Sequence, residues 1–178
     1  LDLSCGTLTL QYNADAPHGT VRITEERWFD PEHPALLWQR LKVESSAPED
    51  LTVDSGVYCA SCNCPVPDDQ VKENHETVQL MVEEEPHFSS GKLEAGWHSH
   101  VTGLGLQVRL HYAVREGRQE EPVHQPGICC GLRFTGTAAP GQPFVLDKTA
   151  VILTSRDRDP RIDPTAQPLP YDLAQQQA

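Results

Sequence analysis

The sequence predicts an all-β fold, an antiparallel β-sandwich with few helices, and three observations carry that expectation. Leu1 to Tyr12 (LDLSCGTLTLQY) alternates apolar and polar residues around a Gly turn, the period of a half-buried strand. The same alternation returns in short runs as far as LDKTAVILTSRD at Leu146 to Asp157. No stretch sustains helical periodicity, and a parallel sheet would need the crossover helices that such periodicity marks. About eight short strands separated by turn signals therefore call for antiparallel pairing in two packed layers.

The elements follow in order. Thr20 to Phe29 (TVRITEERWF) sets Val21 and Ile23 against Arg22 and Thr24, then loses strict alternation at Glu25 and Glu26. A bulge near Glu26 is expected to turn Trp28 and Phe29 toward useful faces. Asp30, Pro31 and Pro34 close that strand, because a residue before proline leaves the helical region and Pro punctuates turns. Ala35 to Ser45 (ALLWQRLKVES) places Leu37, Leu41 and Val43 on one face and Leu36 and Trp38 on the other, which suits an inner strand. LTVDSGVY, HETVQLMVE and GLQVRLHYAV follow, the last with Leu106, Val108, Leu110, Tyr112 and Val114 pointing one way. GLRFTGTAAPGQPFVLDKTAVILTS supplies two more strands around a Pro/Gly turn. Cys59 to Gln70 and Arg115 to Gly127 are rich in turn formers and polar residues and are expected as surface loops. The tail from Arg158 carries Pro160, Pro164, Pro168 and Pro170, the composition of a linker.

With 178 residues the chain can bury a substantial core. Its 26 acidic against 14 basic side chains give a net charge of -12. That field repels phosphate backbones and anionic lipid, so no nucleic acid and no membrane partner is expected. No apolar run approaches the ~20 residues of a membrane helix, and no cationic-apolar signal peptide opens the sequence. The sequence begins at Leu1, already within strand grammar, and is expected to be cut from a longer chain. Missing opening strands would leave a long strand with unpaired backbone groups, and self-association is expected from it.

The candidate chemical groups are several and none assembles a centre. Cys59, Cys62 and Cys64 form C-x-x-C-x-C, with Cys129 and Cys130 far downstream. A thiolate zinc site needs four ligands, whereas adjacent cysteines on a strand point to opposite faces. Unlinked thiols are preferred over a metal or disulfides. His98 and His100 share one face of a strand, and a tight hairpin through Gly103 and Gly105 would bring His111 opposite. Exposed histidines remain the favoured reading, so no metal is expected. Glu83, Glu84 and Glu85 are consecutive and cannot flank one glycosidic bond from opposed surfaces. They read as a solvated loop entrance. Glu25, Glu26, Asp157, Asp159 and Asp163 read as exposed charges at strand ends and in the tail. No nucleophile elbow, phosphate loop or dinucleotide fingerprint is present, so no cofactor and no catalytic residue is assigned. Trp28, Trp38 and Trp97 could stack on sugars, but core or interface packing is preferred.

In their order and spacing, LDLSCGTLT, RITEERWFDPEHPALLWQRLKVES, LTVDSGV and LDKTAVILTSRD resemble successive pieces of the N-terminal β-sandwich domain of glycoside hydrolase family 65. That family includes maltose, trehalose and kojibiose phosphorylases and acid trehalases. The resemblance implies a supersandwich of the galactose mutarotase-like kind over residues 1–157, with 158–178 as a tail or the start of a linker. It further implies a non-catalytic domain that supports a catalytic (α/α)6 barrel and a dimer in a cytoplasmic enzyme acting on an α-glucosidic disaccharide. The family's catalytic Glu belongs to the barrel and has no counterpart here. The implied partners are the barrel of the same parent, a disaccharide, and a second copy in a homo-oligomer. The alternative from a different class is an independent carbohydrate-binding or adhesion-type sandwich with its Cys-rich loop cross-linked.

Overall fold

A computed structural model describes residues 1–2, 5–29, 33, 35–58, 81–99, 103–125 and 128–154. Among these residues lie the strands β1 (Thr7–Ala16), β2 (Gly19–Phe29), β3 (Leu36–Ser45), β4 (Glu49–Val57), β5 (Met81–Glu83), β6 (His87–Ser89), β7 (Lys92–Ser99), β8 (Gly105–Arg115), β9 (Gly117–Gln125), β10 (Ile128–Ala138) and β11 (Phe144–Thr154), and no helix. An eight-stranded sheet runs β1-β2-β3-β11-β8-β7-β5, with β6 also on β7, and a three-stranded sheet runs β4-β10-β9. Every pairing is antiparallel. The predicted all-β sandwich is therefore the observed architecture.

Alternation builds the core. On β8 the set Val108, Leu110 and Tyr112 is buried while Gln107, His111 and Ala113 are exposed, as the sequence predicts. These residues meet Leu93, Ala95 and Trp97 of β7, Phe144, Leu146 and Ala150 of β11, and Leu132 and Phe134 of the smaller sheet in one cluster. Tyr112 and Phe134 join the two layers with ring centroids 5.0 Å apart and a 48° tilt, within the range aromatic pairs favour. β3 lies between β2 and β11, and its second apolar face packs Leu36 with Val151 and Leu153 in a smaller cluster. Both faces of an inner strand can thus be used.

Two expectations are corrected. The polar run after Arg115 is a strand, β9, which pairs with β10. It opens at Glu116, whose φ of 58° makes the tight reversal from β8, and the backbone ladder outweighs its polar composition. The ladders from β2 to both neighbours run without a shift through Glu26, so there is no bulge there. Glu25 keeps the alternation by facing inward beside polar partners. The strand on which the sequence reading set His98 extends from Lys92 to Ser99. In the opening segment Asp2 bridges Thr7, across a turn in which Gly6 adopts φ 66°, a conformation that glycine takes without steric cost. Of HETVQLMVE, only Met81 to Glu83 falls within the described residues.

Candidate functional site

Two shallow polar grooves lie on the outer faces of the sandwich. The first, about 500 Å³, crosses β1, β2, β3, β8 and β11 and is lined by Gln11, Arg22, Thr24, Glu26, Arg40 and Lys42 among others. The period-2 rule stacks these groups, because Arg22 stands opposite Glu44, Thr24 opposite Lys42 and Glu26 opposite Arg40. Arg40 donates to both oxygens of Asp147, Nε to Oδ1 at 2.6 Å and Nη2 to Oδ2 at 3.2 Å. That hydrogen bond, more than any other cause, raises the Arg40 pKa above its ordinary value. Lys42 pairs with Glu44 at 2.7 Å, and Arg115 approaches Asp147 at 3.7 Å. Acid and base therefore alternate across one sheet face and are tied to each other. Such a face holds no pair of carboxylates on opposed surfaces, the geometry that glycosidic cleavage requires.

The second groove, about 600 Å³, is lined by Asp50, Thr52, Glu116, Arg118, Thr135 and Thr137 among others. Thr137 Oγ1 donates to Asp50 Oδ1 at 3.0 Å. Beside it Arg133 holds Asp54 through two bonds, Nε to Oδ1 at 2.7 Å and Nη2 to Oδ2 at 2.8 Å. These are cross-strand pairs between β10 and β4, the ordinary stabilising unit of a sheet.

A polar cluster also sits on the inner face, where the small sheet ends. Lys148 donates to Ser55 Oγ at 3.4 Å, and Tyr112 donates its hydroxyl to the Ser55 carbonyl oxygen at 3.1 Å. Glu25 accepts hydrogen bonds from Arg27 and Gln39, and Gln39 stands opposite Lys148. Burial lowers the Lys148 pKa, the Arg27 charge lowers it further, and Glu25 acts in the opposite direction. Burial raises the Tyr112 hydroxyl. Glu25 is not the exposed strand-end charge that the sequence suggests, since it faces this cluster in the middle of β2.

The structure separates most of the sequence candidates. β7 and β8 pair as the hairpin argument requires, but His98 stands opposite Gly105 and His111 opposite Lys92, so the two imidazoles are on the order of 20 Å apart along the ladder. His98 instead lies 3.7 Å from Glu84. His100, Cys59, Cys62, Cys64, Asp157, Asp159 and Asp163 lie outside the described residues, as do the side chains of Glu83 and Cys129. Cys130 is buried in the core and Cys5 is exposed. Among the described residues no group of three His, Cys, Asp or Glu is placed to hold a metal ion. Trp97 is core, at 1% exposure. Trp28 and Trp38 stack on the outer face with centroids 6.2 Å apart and planes 4° from parallel. The outer charge ladder was missed as a unit, although Arg22/Thr24/Glu26 and Arg40/Lys42/Glu44 repeat at period two and signal a solvated strand face.

Comparison with known proteins agrees with the architecture. The profile described as Glycosyl hydrolase family 65, N-terminal domain matches residues 1–176. No curated protein matches the chain in sequence. Among solved structures, a putative kojibiose phosphorylase from human microbiome superimposes with a TM-score of 0.67 at 10% identity, over 100% of this chain and 20% of that one. At that identity the likeness is one of fold. The chain spans about a fifth of the length of that protein.

Proposed function

Because the chain belongs to the N-terminal domain family of glycosyl hydrolase family 65, we propose that it is the non-catalytic sandwich of a larger cytoplasmic carbohydrate-active enzyme. Residues 1–157 form the sandwich, and 158–178 begin the link to a catalytic barrel. The parent reaction is inverting cleavage of an α-glucosidic disaccharide, with phosphate or water as the acceptor. This domain packs against the barrel and supports the dimer, while the general acid resides on the barrel. The family match over nearly the whole chain carries the reading. It is supported by the charged side chains of the outer faces, which are tied to each other, Arg40 with Asp147 and Arg133 with Asp54 across strands and Lys42 with Glu44 along β3. Inverting cleavage needs a raised-pKa acid and an activated acceptor on opposite sides of one sugar, and these ladders supply neither.

The test is an overnight incubation of the pure chain with maltose, trehalose or kojibiose, with and without phosphate, reading released glucose. No turnover is expected, nor synthesis from β-glucose 1-phosphate. Turnover that persists on repurification and disappears in Glu84→Gln would overturn the non-catalytic reading. A thiol titration under denaturing conditions addresses location. All six cysteines reacting as free thiols supports the cytoplasmic enzyme, and cross-linked cysteines support a secreted sugar-binding module.

A further inference from the structure

One cross-strand row on the inner face of the large sheet is polar where its neighbours are apolar. Arg27, Gln39, Lys148 and Tyr112 stand side by side on β2, β3, β11 and β8. The row before it brings together Phe29, Leu37, Ala150 and Leu110, and the row after it sets Leu41, Leu146 and Val114 beside Glu25. An amine and a guanidinium on such a face cost desolvation that hydrogen bonds must offset.

Here the offset is incomplete. Lys148 has three protons to give and makes one long bond, to Ser55 Oγ at 3.4 Å. Arg27 uses only Nε, and both bonds that Glu25 accepts, from Arg27 and Gln39, end on Oε1. Among the described residues, the other Lys148 protons, both terminal nitrogens of Arg27 and Oε2 of Glu25 are therefore open to a ligand. The cluster is reachable, since the Arg27 side chain is 46% and that of Glu25 15% exposed.

We propose that this cluster binds a small 2-oxo acid, with Lys148 joined to its carbonyl carbon as an imine and Arg27 holding its carboxylate. The carboxylate calls for a guanidinium with open N–H groups, the planar fork that pairs with it. The carbonyl calls for an amine that is neutral in part. Burial and the Arg27 charge both lower the Lys148 pKa, with Glu25 acting in the opposite direction, and a lysine desolvated beside another cation is activated in this way toward carbonyl groups. In the reaction the nitrogen lone pair forms the C–N bond while the C=O π pair moves to oxygen. Both protons of the neutral amine leave with that oxygen as water, and Glu25 relays them from nitrogen to oxygen. No oxidant or reductant is consumed, and hydrolysis returns the free amine. The inference goes beyond the reading of a non-catalytic domain and needs no barrel. Its outcome does not alter the sugar assay, so the two readings fail separately.

Reductive trapping on the folded 178-residue chain tests this, with glyoxylate as the 2-oxo acid and cyanoborohydride to reduce any imine to a stable secondary amine. Peptide mass mapping compares the label at Lys148 with that at exposed Lys92. Lys148 is expected to be labelled about tenfold faster than Lys92. That lead should disappear in Arg27→Gln and with acetaldehyde, which has no carboxylate. Glu25→Gln should slow the labelling of Lys148. This last result separates a proton relay from a charge effect, because loss of the Glu25 charge by itself leaves more of the amine neutral. Circular dichroism verifies folding, and if the variants of β2 do not fold, glyoxylate against acetaldehyde on the wild type carries the test. Labelling of Lys148 no faster than Lys92, an equal lead with acetaldehyde, or a folded Glu25→Gln chain labelled as fast as wild type would overturn the proposal.

Discussion

The inner face of the large sheet has two ends built from the same alternating sequence, and they meet different fates. At the β7-β8-β11 end, Leu93, Trp97 and Leu110 lie beneath the three-stranded sheet with exposures of 0%, 1% and 2%. At the β1-β2 end, Leu10, Tyr12 and Phe29 occupy the same face with exposures of 43%, 52% and 60%. Among the described residues nothing layers over the second end as the small sheet does over the first. Alternation therefore determines which face of a strand is apolar, while the extent of the opposing layer determines whether that face becomes core. The cluster of Lys148, Glu25, Arg27 and Gln39 marks the boundary, where inward positions begin to be filled by polar groups.

The largest effect is expected at the covered end. Trp97→Ala removes a fully buried indole from the centre of the cluster and leaves a cavity that close-packed neighbours fill only partly. A loss of about 3–5 kcal/mol is expected, measured as a lower urea midpoint at unchanged slope. A loss under about 1 kcal/mol would mean that the small sheet does not hold its place over β7.

Gly136→Ala sharpens the same point from the opposing layer. A Cβ there would press on the Glu116 carbonyl oxygen and come within 2.8 Å of the Phe144 ring and 2.9 Å of the Gly117 backbone. Two of the three are main-chain atoms that cannot rotate away. The expected cost is about 1–3 kcal/mol from overpacking, read by thermal or urea denaturation. Unchanged stability would show that the β8-β9 reversal is loosely seated.

At the boundary the effect is smaller and depends on pH. Lys148 holds its proton less readily in the folded chain than at its ordinary value of 10.5. Between the lowered folded value and 10.5 the unfolded chain therefore binds more protons, and stability rises with pH. Tyr112 acts oppositely. Its folded pKa lies above the ordinary 10.0, so the folded chain keeps a proton that the unfolded chain has lost, and stability falls above pH 10. Lys148→Met is expected to abolish the rise, keep the fall and add about 1 kcal/mol at neutral pH, since Glu25 retains Arg27 and Gln39. Urea titrations from pH 7 to 11 measure it, and a variant less stable at pH 7 would show that Lys148 is needed as a cation.

The fold was legible where the local period and the burial agree. β8 shows its buried set in sequence, and the two-faced composition of β3 gives away its inner position. β9 was not legible, because an edge strand facing solvent carries the charges and proline of a loop, and only its pairing with β10 distinguishes the two. The histidine argument failed for a related reason. It found the β7-β8 hairpin and the shared face, yet register comes from the turn and the inward set of Leu93, Ala95 and Trp97, which the spacing of histidines does not contain. The outer charge ladders needed the order β1-β2-β3-β11-β8, and strand order is not written in alternation.

The smallest effect belongs to the open end. Phe29 lies on the inner face two positions beyond Arg27, with its ring largely in water at 60% exposure. Truncation there opens no cavity, because no second layer encloses the ring, and the remaining loss is its contact with neighbours on the sheet. Phe29→Thr supplies a β-branched side chain suited to a strand, so the change in stability is expected within about 0.5 kcal/mol. Binding of an apolar-surface dye should fall at the same time, since one of the larger exposed apolar groups is gone. The urea midpoint and dye fluorescence are read on one sample. A midpoint shift approaching that of Trp97→Ala would show that Phe29 is enclosed, and the contrast between the two ends of the sheet would then fail.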